Sequence, residues 1–465
     1  MNEHFHQLFR LLPANLQQYG IDLLGWYQAR QRFGPIFEEM QQEYTERERW
    51  PADRMMDFVE ARLRRQLKLA YISVPYYRRI FSEYGITAQM IDTFTIDDLK
   101  KLPLLEKAVV RSDPGILLTE EARRKPGAFF HIYTSGTAGK RIRIYVDAAM
   151  HQHTGGVREA RSLRWANVSY HQPRTVIGGR KVVSANNSYP PFWRHNRWEQ
   201  QLYLSVFHIA PDNIKAFTDK LNIFKPSVMM GYSSGHYFLA QLINEFQLEV
   251  HAPKAIIASG ERLEPSMRPI MESVFHTRVI QEYGSSENCA LATECEYGTL
   301  HINPDFGLVE ILRPDGSPAA KGETGEMVVT GFANVNQIFI RYRSGDMAAW
   351  AEKSCPCGRD TLPPLQDSVN RCEDMIIGEE GPINTALYHM LSSLPGVLAA
   401  QLIRTDASSF TINIVPSFGY EKNTGNIMKR SIADMLGQNI TLNIRELHSI
   451  PREENGKFRA IISYI

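Results

Sequence analysis

Residues 131 to 147 read HIYTSGTAGKRIRIYVD, and this stretch decides how the rest of the chain is read. Two apolar runs flank a loop that carries Gly136, Gly139, the hydroxyls of Thr134, Ser135 and Thr137, and Lys140. Glycines let a backbone point its N–H groups at an anion, hydroxyls add donors and a lysine adds charge. A Walker loop needs Gly, four residues, then Gly-Lys-Ser/Thr. Here Gly139-Lys140 is present, but Thr134 occupies the first position and Arg141 follows the lysine. Two required positions fail, which argues against a Walker NTPase. Taken alone, the loop fits a flexible Gly/Thr turn as well as an anion cradle.

The remainder of the chain narrows the choice. Its 465 residues are enough for two or three domains with a large core. Hydrophobic content of 43% with 22% charged residues is that of a soluble globular protein, not a disordered one. A net charge of +1 gives no field to hold nucleic acid or anionic lipid. No apolar run is long enough for a membrane span. The start, MNEHFHQLFRLLPANL, lacks the basic and apolar regions of a signal peptide. Five cysteines in a chain of this length do not make a disulfide framework. The expected location is the cytoplasm. The oligomeric state, a dimer included, is left open.

Along the chain, residues 36–70 are charge-rich with helical spacing, and YYRRIFSEYGI (76–86) continues it to a glycine stop. TIDDLKKLPLLEK (95–107) reads as a capped short helix and a turn. From about 125, β-rich runs alternate with helical segments: AFFHIYTS, PRTVIGG, PSVMMGYSS, PKAIIASGE and TRVIQEYGSSE. The fold class expected is α/β with an at least partly parallel sheet, whose ligands gather beyond the carboxyl ends of the strands. Alternating strands mark a β-subdomain at about 300–370. A compact α+β domain follows, 371–465, with helices at 382–394 and 422–437 and strands at 397–404 and 409–415. The large domain is 1–370, with a helical segment at about 1–110.

Three further segments carry chemistry. QEYGSSENC (281–289) ends a strand in a glycine turn before Glu287. Such a carboxylate suits the first turn of a helix or a magnesium ion beside phosphates. RYRSGDMA (341–348) places Asp346 where a turn residue or a ribose-binding carboxylate would stand. In PREENGKFRAI (451–461), Asn455-Gly456 signals a hairpin with Lys457 at its tip. Read singly, each has an ordinary structural explanation.

Read in order, they resemble the adenylate-forming superfamily of acyl-CoA synthetases and adenylation domains. YTSGTAGK resembles its phosphate loop, EYGSSE its nucleotide and magnesium motif, YRSGD its ribose motif, NRCEDMI its hinge and NGKF its C-terminal lysine motif. VPYYRRIFSEYGI, LPLLEK, LSVFHIAPDN, KPSVMMGYSS, ASGERL and CPCGR are similar to the phenylacetate–CoA ligase branch, above all its capsule-polysaccharide-associated subgroup. The resemblance spans roughly residues 65–463.

The resemblance implies an ATP-dependent activation of a small carboxylic acid to an acyl-adenylate. The acyl group then passes to a thiol such as coenzyme A, or to an amine, a hydroxyl or a carrier-protein thiol. An inactive nucleotide-binding scaffold would not need Lys140, Glu287, Asp346 and Lys457 together. By resemblance, Thr134, Ser135, Gly136, Thr137, Gly139 and Lys140 would hold the outer phosphates of ATP. Ser259, Gly260 and Glu261 would line the adenine. Glu282, Tyr283, Gly284 and Ser285 would contact adenine and α-phosphate, and Glu287 would bind Mg²⁺. Asp346 and Arg371 would hold the ribose, Glu373 would be the hinge, and Lys457 would bridge the α-phosphate and the attacking carboxylate. His208 would gate the carboxylate pocket, with Trp193 and Tyr232 on an apolar wall; core packing is the competing role for all three. The chain departs from the family where its hinge begins Asn370-Arg371 instead of Gly-Arg. GEEGPINTALYHM also lacks the Pro-x-x-Ile-Glu pattern that helps shape a thiol channel in many relatives.

Cys295, His301, Cys355 and Cys357 form the donor set of a closed tetrahedral zinc site. Cys-x-Cys is tighter than the usual Cys-x₂-Cys, so spacing leaves open three buried cysteines and a surface histidine. The branch resembled carries a structural Zn²⁺ at matching positions.

Overall fold

A computed structural model describes residues 14–134, 141–184, 187–366, 369–371, 376–378, 381–382, 396–406, 408–436 and 440–464, with isolated positions between 387 and 394. The chain opens with helices α1 (Ala14–Arg32), α2 (Pro35–Arg47), α3 (Ala52–Ser73) and α4 (Pro75–Glu83). Prolines Pro35 and Pro75 stand at helix starts, where the missing N–H costs nothing. On α3, Met55, Val59, Leu63, Leu67 and Ala70 recur at three- and four-residue steps and are buried as one stripe. The helical stretch expected over 36–70 is therefore two helices broken at Pro51. A 3₁₀ turn at Ile96–Lys101 starts with a capping box between Thr95 and Asp98, as its sequence predicts.

Strands β1 (Phe130–Tyr133) and β2 (Arg143–Val146) then form an antiparallel ribbon. Helix α5 (Ala148–Arg158), capped by Asp147, runs on through a π-turn at Glu159–Leu163. The following elements alternate: β3 (Arg174–Gly178), β4 (Trp193–Asn196), β5 (Gln201–Ser205), α6 (Ile214–Phe224), β6 (Val228–Gly231), α7 (Ser233–Glu245), β7 (Ala255–Ser259), α8 (Met267–Phe275) and β8 (Arg278–Gly284). Next come β9 (Leu291–Glu294), β10 (Leu300–Ile302), β11 (Gly307–Leu312), β12 (Gly325–Gly331) and β13 (Tyr342–Ala348). Two-residue strands β14 (Asn370–Arg371), β15 (Ile377–Gly378) and β16 (Gly381–Pro382) precede β17 (Val397–Arg404), β18 (Ser409–Pro416), α9 (Lys422–Leu436), β19 (Thr441–Glu446) and β20 (Ile461–Ser463).

Two compact units result, and neither is continuous in sequence. The first comprises residues 26–169 and 280–370; the second comprises 2–25, 170–279 and 371–465. In the first unit, β8, β9 and β10 are joined antiparallel, and β11, β12 and β13 form an antiparallel sheet. This is the β-rich region that alternation predicts from residue 300. Its core joins the α3 stripe to Ile338, Phe339 and Ile340 and to Met327 and Val329 of β12.

In the second unit, β7, β6, β3 and β5 are parallel, and β4 closes on β5 antiparallel. The helices between parallel strands cover this sheet, which is why its strands read as unbroken apolar runs such as Ala255–Ser259. Residues after 371 have a core of their own, built from Leu402, Phe410, Ile412, Ile414, Met428, Ile432 and Ile461. Their sheet runs β19-β18-β17-β20, with β17 antiparallel to β18 and both edge strands parallel to their neighbours. No described helix is long and apolar enough to cross a membrane.

Candidate active site

The Gly/Thr loop expected to hold an anion lies in sequence between β1 and β2. Ser135, Gly136, Thr137, Gly139 and Lys140 lie outside the described residues. Its neck is visible: the Thr134 N–H donates to the Ile142 carbonyl at 3.0 Å, and the Ile142 N–H donates to Thr134 Oγ1 at 3.0 Å. Thr134 is thus buried as the clasp of the loop, and its hydroxyl accepts a backbone hydrogen bond there.

Three of the sequence motifs meet in the first unit. Tyr283 at the end of β8 donates its hydroxyl to Asp346 Oδ2 at 2.7 Å, so the EYGSSE and YRSGD motifs touch across 63 residues of sequence. Asp346 is buried, and its N–H donates to Ser344 Oγ. Lys107, from LPLLEK, donates to the Ser344 carbonyl at 3.3 Å, and backbone bonds between Leu105 and residues 341 and 343 fix that segment beside β13. Glu287 is 6% exposed, and its Oε1 accepts from the Tyr342 hydroxyl at 3.2 Å. Burial, reinforced by the Glu287 carboxylate, pushes the Tyr342 pKa far up and keeps that hydroxyl a donor.

Glu287 does not open a helix. Residues 285–288 make a turn between β8 and β9, closed by Asn288 N–H to the Ser285 carbonyl. Glu282 is buried with its Oε1 3.3 Å from Arg158, at the end of α5, while no hydrogen bond reaches its Oε2. Gly284 keeps backbone close to the same guanidinium, with a Cβ position 3.4 Å from Arg158 Nη2. Nothing in the sequence pairs Arg158 with Glu282, or Tyr342 of the YRSGD motif with Glu287; only folding brings these partners together.

The second unit holds Ser259, Gly260, Glu261, His208 and Lys457. Ser259 ends β7, and Gly260 turns the chain at φ +77° against the Tyr232 ring, which lies 2.9 Å from where a Cβ would sit. Glu261 does not simply line this turn: its Oε2 accepts from the Ser234 N–H in the first turn of α7 at 3.0 Å, and its Oε1 from the Phe458 N–H at 2.6 Å. His208 lies buried after β5, stacked on Phe192 at 5.0 Å, with Nδ1 2.7 Å from Ser205 Oγ. Burial lowers its pKa from the ordinary histidine value, which favours the neutral ring near pH 7. Trp193 packs edge-on against Phe217 at 6.1 Å.

Lys457 stands on a tight turn in which Gly456 N–H donates to the Glu453 carbonyl and Glu453 N–H to the Lys457 carbonyl. The Asn455-Gly456 signal is therefore a turn. It is not a hairpin joining paired strands, because the flanking strands β19 and β20 pair with β18 and β17. Lys457 Nζ sits 6.0 Å from the centre of the Tyr232 ring. Arg371 lies in β14, and Glu373 and Cys372 lie outside the described residues.

A separate cluster forms in the first unit. One donor atom from each of Cys295, His301, Cys355 and Cys357 lies within 4.8 Å of the others. The Cys295–Cys355 sulfurs are 3.6 Å apart, and Cys357 Sγ is 3.4 Å from His301 Nε2. His301 Nδ1 is 2.7 Å from the Leu362 carbonyl, which accepts a hydrogen bond from the Nδ1–H and leaves Nε2 as the lone-pair nitrogen. Three thiols and an oriented imidazole fit a tetrahedral metal with no open position.

A family described as "CapK C-terminal domain" matches residues 376–464. The chain is 25% identical to protein CapK of Staphylococcus aureus over 408 residues, covering 84% of this chain and 85% of that one. It is 23% identical to a phenylacetate–coenzyme A ligase of Thermus thermophilus over 458 residues, covering 90% and 98%. Among solved structures it is similar to a 2-hydroxyisobutyryl-CoA ligase captured in the postadenylation state with an acyl-AMP. That match has a TM-score of 0.69 at 18% identity and covers 89% of this chain and 90% of that one.

Proposed function

We propose that this chain, which belongs to the adenylate-forming superfamily on its phenylacetate–CoA ligase-like branch beside CapK, activates a carboxylic acid with ATP and passes the acyl group to coenzyme A. In the first step a carboxylate oxygen attacks the α-phosphorus of ATP, the bond from that phosphorus to the bridging oxygen breaks, and pyrophosphate leaves. In the second, the thiol sulfur attacks the acyl carbon, the carbon–oxygen bond to AMP breaks, and the thiol proton passes to solvent.

The observation that carries this reading is the Tyr283–Asp346 hydrogen bond at 2.7 Å. It joins two motifs that the reading assigns to one nucleotide, Tyr283 against the adenine and Asp346 on the ribose hydroxyls. Glu282, Gly284 and Ser285 would flank the adenine and α-phosphate, with Ser259 and Gly260 along the base and Arg371 at the ribose. The loop of Thr134 to Lys140 would cradle the departing pyrophosphate. Glu287, buried and held at one oxygen by Tyr342, would ligate the Mg²⁺ that accompanies ATP and neutralises its phosphates. Lys457 would bridge the two reacting anions, where a fixed cation in a dry site is worth most. The residues after 371 would act as a mobile lid hinged at Glu373. His208, neutral and oriented by Ser205, would border the acid pocket. The Cys295–His301–Cys355–Cys357 set would hold a structural Zn²⁺. Such an enzyme would act in the cytoplasm, where ATP and coenzyme A are available.

The test is acid-dependent pyrophosphate exchange across aryl, fatty and amino acids, followed by AMP release with coenzyme A, candidate amines or neither. Lys457→Ala should lower exchange by on the order of a hundredfold or more while ATP binding persists. Normal exchange in that variant rejects the role given to Lys457. AMP release that does not respond to coenzyme A rejects the acceptor.

A further inference from the structure

We propose that Gly179, Tyr232 and Glu261 form a cradle that seats the Lys457 turn, and that through this seat they act as positioning residues for adenylate formation. The inference rests on the reading above and concerns residues that it does not use for this purpose.

The turn at 452–458 is held through its backbone. The Tyr232 hydroxyl donates to the Asn455 carbonyl at 3.1 Å, and Glu261 Oε1 accepts the Phe458 N–H at 2.6 Å. Those two contacts bracket Lys457 on either side. Arg452 Nη1 donates to Ser234 Oγ at 2.9 Å and to the Gly456 carbonyl at 3.1 Å, tying the turn to the start of α7 a third time. The Phe458 ring packs edge-on against Phe238 of the same helix, with centroids 5.0 Å apart. Three of these contacts fall on main-chain atoms on either side of Lys457.

Gly179, just beyond β3, makes this seat fit. A Cβ there would lie 1.6 Å from the Asn455 carbonyl oxygen and 2.5 Å from its carbon, an overlap that backbone cannot absorb. The opposing Gly456 has φ +81°, and a Cβ on it would fall 2.9 Å from the Gly179 Cα. Two backbones thus touch where neither position tolerates a side chain. With the turn elsewhere, the nearest atom to a Gly179 Cβ would be the Tyr232 hydroxyl at 3.0 Å, which a small ring shift relieves. A methyl at 179 therefore obstructs the seat and little else.

Tyr232 suits the seat chemically. Burial, with the Glu261 carboxylate nearby, raises its pKa to about 12, so its hydroxyl is a permanent donor. Glu261 spans the joint by bonding the α7 N-terminus with one oxygen and the turn with the other. Charge-assisted bonds of this kind are the stronger sort.

The experiment uses the full chain and two independent readouts. Hydrogen exchange without ligands should show the 453–458 amides protected. Gly179→Ala and Glu261→Gln should remove that protection while leaving β17 and β18 unchanged. Kinetically, phenylacetate and synthetic phenylacetyl-adenylate serve as probes. Gly179→Ala should cut pyrophosphate exchange by on the order of a hundredfold, as loss of a transition-state cation does, with thioester formation from the supplied adenylate kept within about twofold. Tyr232→Phe, which keeps the ring and loses one hydrogen bond, should cut exchange roughly fivefold. Unaltered amide protection in both variants, or an equal fall in the two half-reactions, overturns the cradle. A wild-type chain without exchange for any acid, yet with the protection pattern as described, instead removes the proposed reaction and leaves the cradle standing.

Discussion

At the scale of single residues, two carboxylates have opposite surroundings. Asp346 receives the Tyr283 hydroxyl, and Tyr283→Phe would remove that hydrogen bond from a buried carboxylate. A hydrogen bond to a charged group contributes about 1.5–3 kcal/mol. The KM for ATP in pyrophosphate release should therefore rise roughly tenfold or more with kcat changed less; an unchanged KM removes Tyr283 from nucleotide positioning. Glu264 is buried, with Arg262 Nε 2.9 Å away, and burial raises its pKa from 4.5 to about 7 against the pull of that arginine. Between these two pH values the folded chain holds a proton that the unfolded chain has released. Stability from this group is thus full below about pH 4.5, falls as pH rises to about 7 and is flat above. Glu264→Gln should flatten the slope and stabilise the protein at pH 8 relative to pH 5 by on the order of 3 kcal/mol at most. Denaturant midpoints at the two pH values check this, and equal shifts at both would refute it. The charge of Glu264 is plain in the sequence, but its burial is not.

At the scale of elements, the Cys/His cluster ties three pieces of the first unit together. Cys295 follows β9, His301 lies in β10, and Cys355 and Cys357 sit in the loop after β13. That loop is also stitched to β10 by backbone bonds, Ile302 N–H to the Pro363 carbonyl and Leu365 N–H to the Leu300 carbonyl. A metal there would act as a staple. Elemental analysis should find about one zinc per chain. Chelation or Cys357→Ser should lower Tm by several degrees, because metal affinity for a folded site is folding free energy. Metal-free protein with the same Tm and titratable thiols would dismiss the site. Most elements here were legible beforehand. The parallel strands announce themselves as apolar runs, and the β-rich region after 300 by alternation and turn residues. The turns were less so: Ser285–Asn288 reads as a helix start because serine before glutamate also caps helices, and only the following strand decides otherwise.

At the scale of the whole molecule, the division into units cuts across sequence order. Residues 170–279 share a unit with 371–465, while 280–370 belong with 26–169. The chain passes between them within β8, between Val279 and Ile280, so the start of that strand and the EYGSSE motif at its end belong to different units. If the residues after 371 move as a lid, fluorophores at exposed Trp198 and Tyr464 should change their separation when ATP and acid are added together, and less with ATP alone. An unchanged separation throughout would count against the lid.

The sequence by itself determined the chemistry on offer. Glycines, hydroxyls and lysine in TSGTAGK, carboxylates at 287 and 346, a lysine after Asn455-Gly456 and a Cys₃His set are facts of composition and order, and their order matches one superfamily. Tertiary structure decided which of these groups meet and what holds them. Tyr342 on Glu287, Arg158 on Glu282 and Glu261 on the Phe458 amide join residues 55, 124 and 197 positions apart. Such pairs leave no trace in local periodicity, because burial and contact at that separation follow from packing and not from neighbouring residues. Glu261 shows the difference most clearly: the motif resemblance would place it along the adenine, while by contact it holds the turn that carries Lys457.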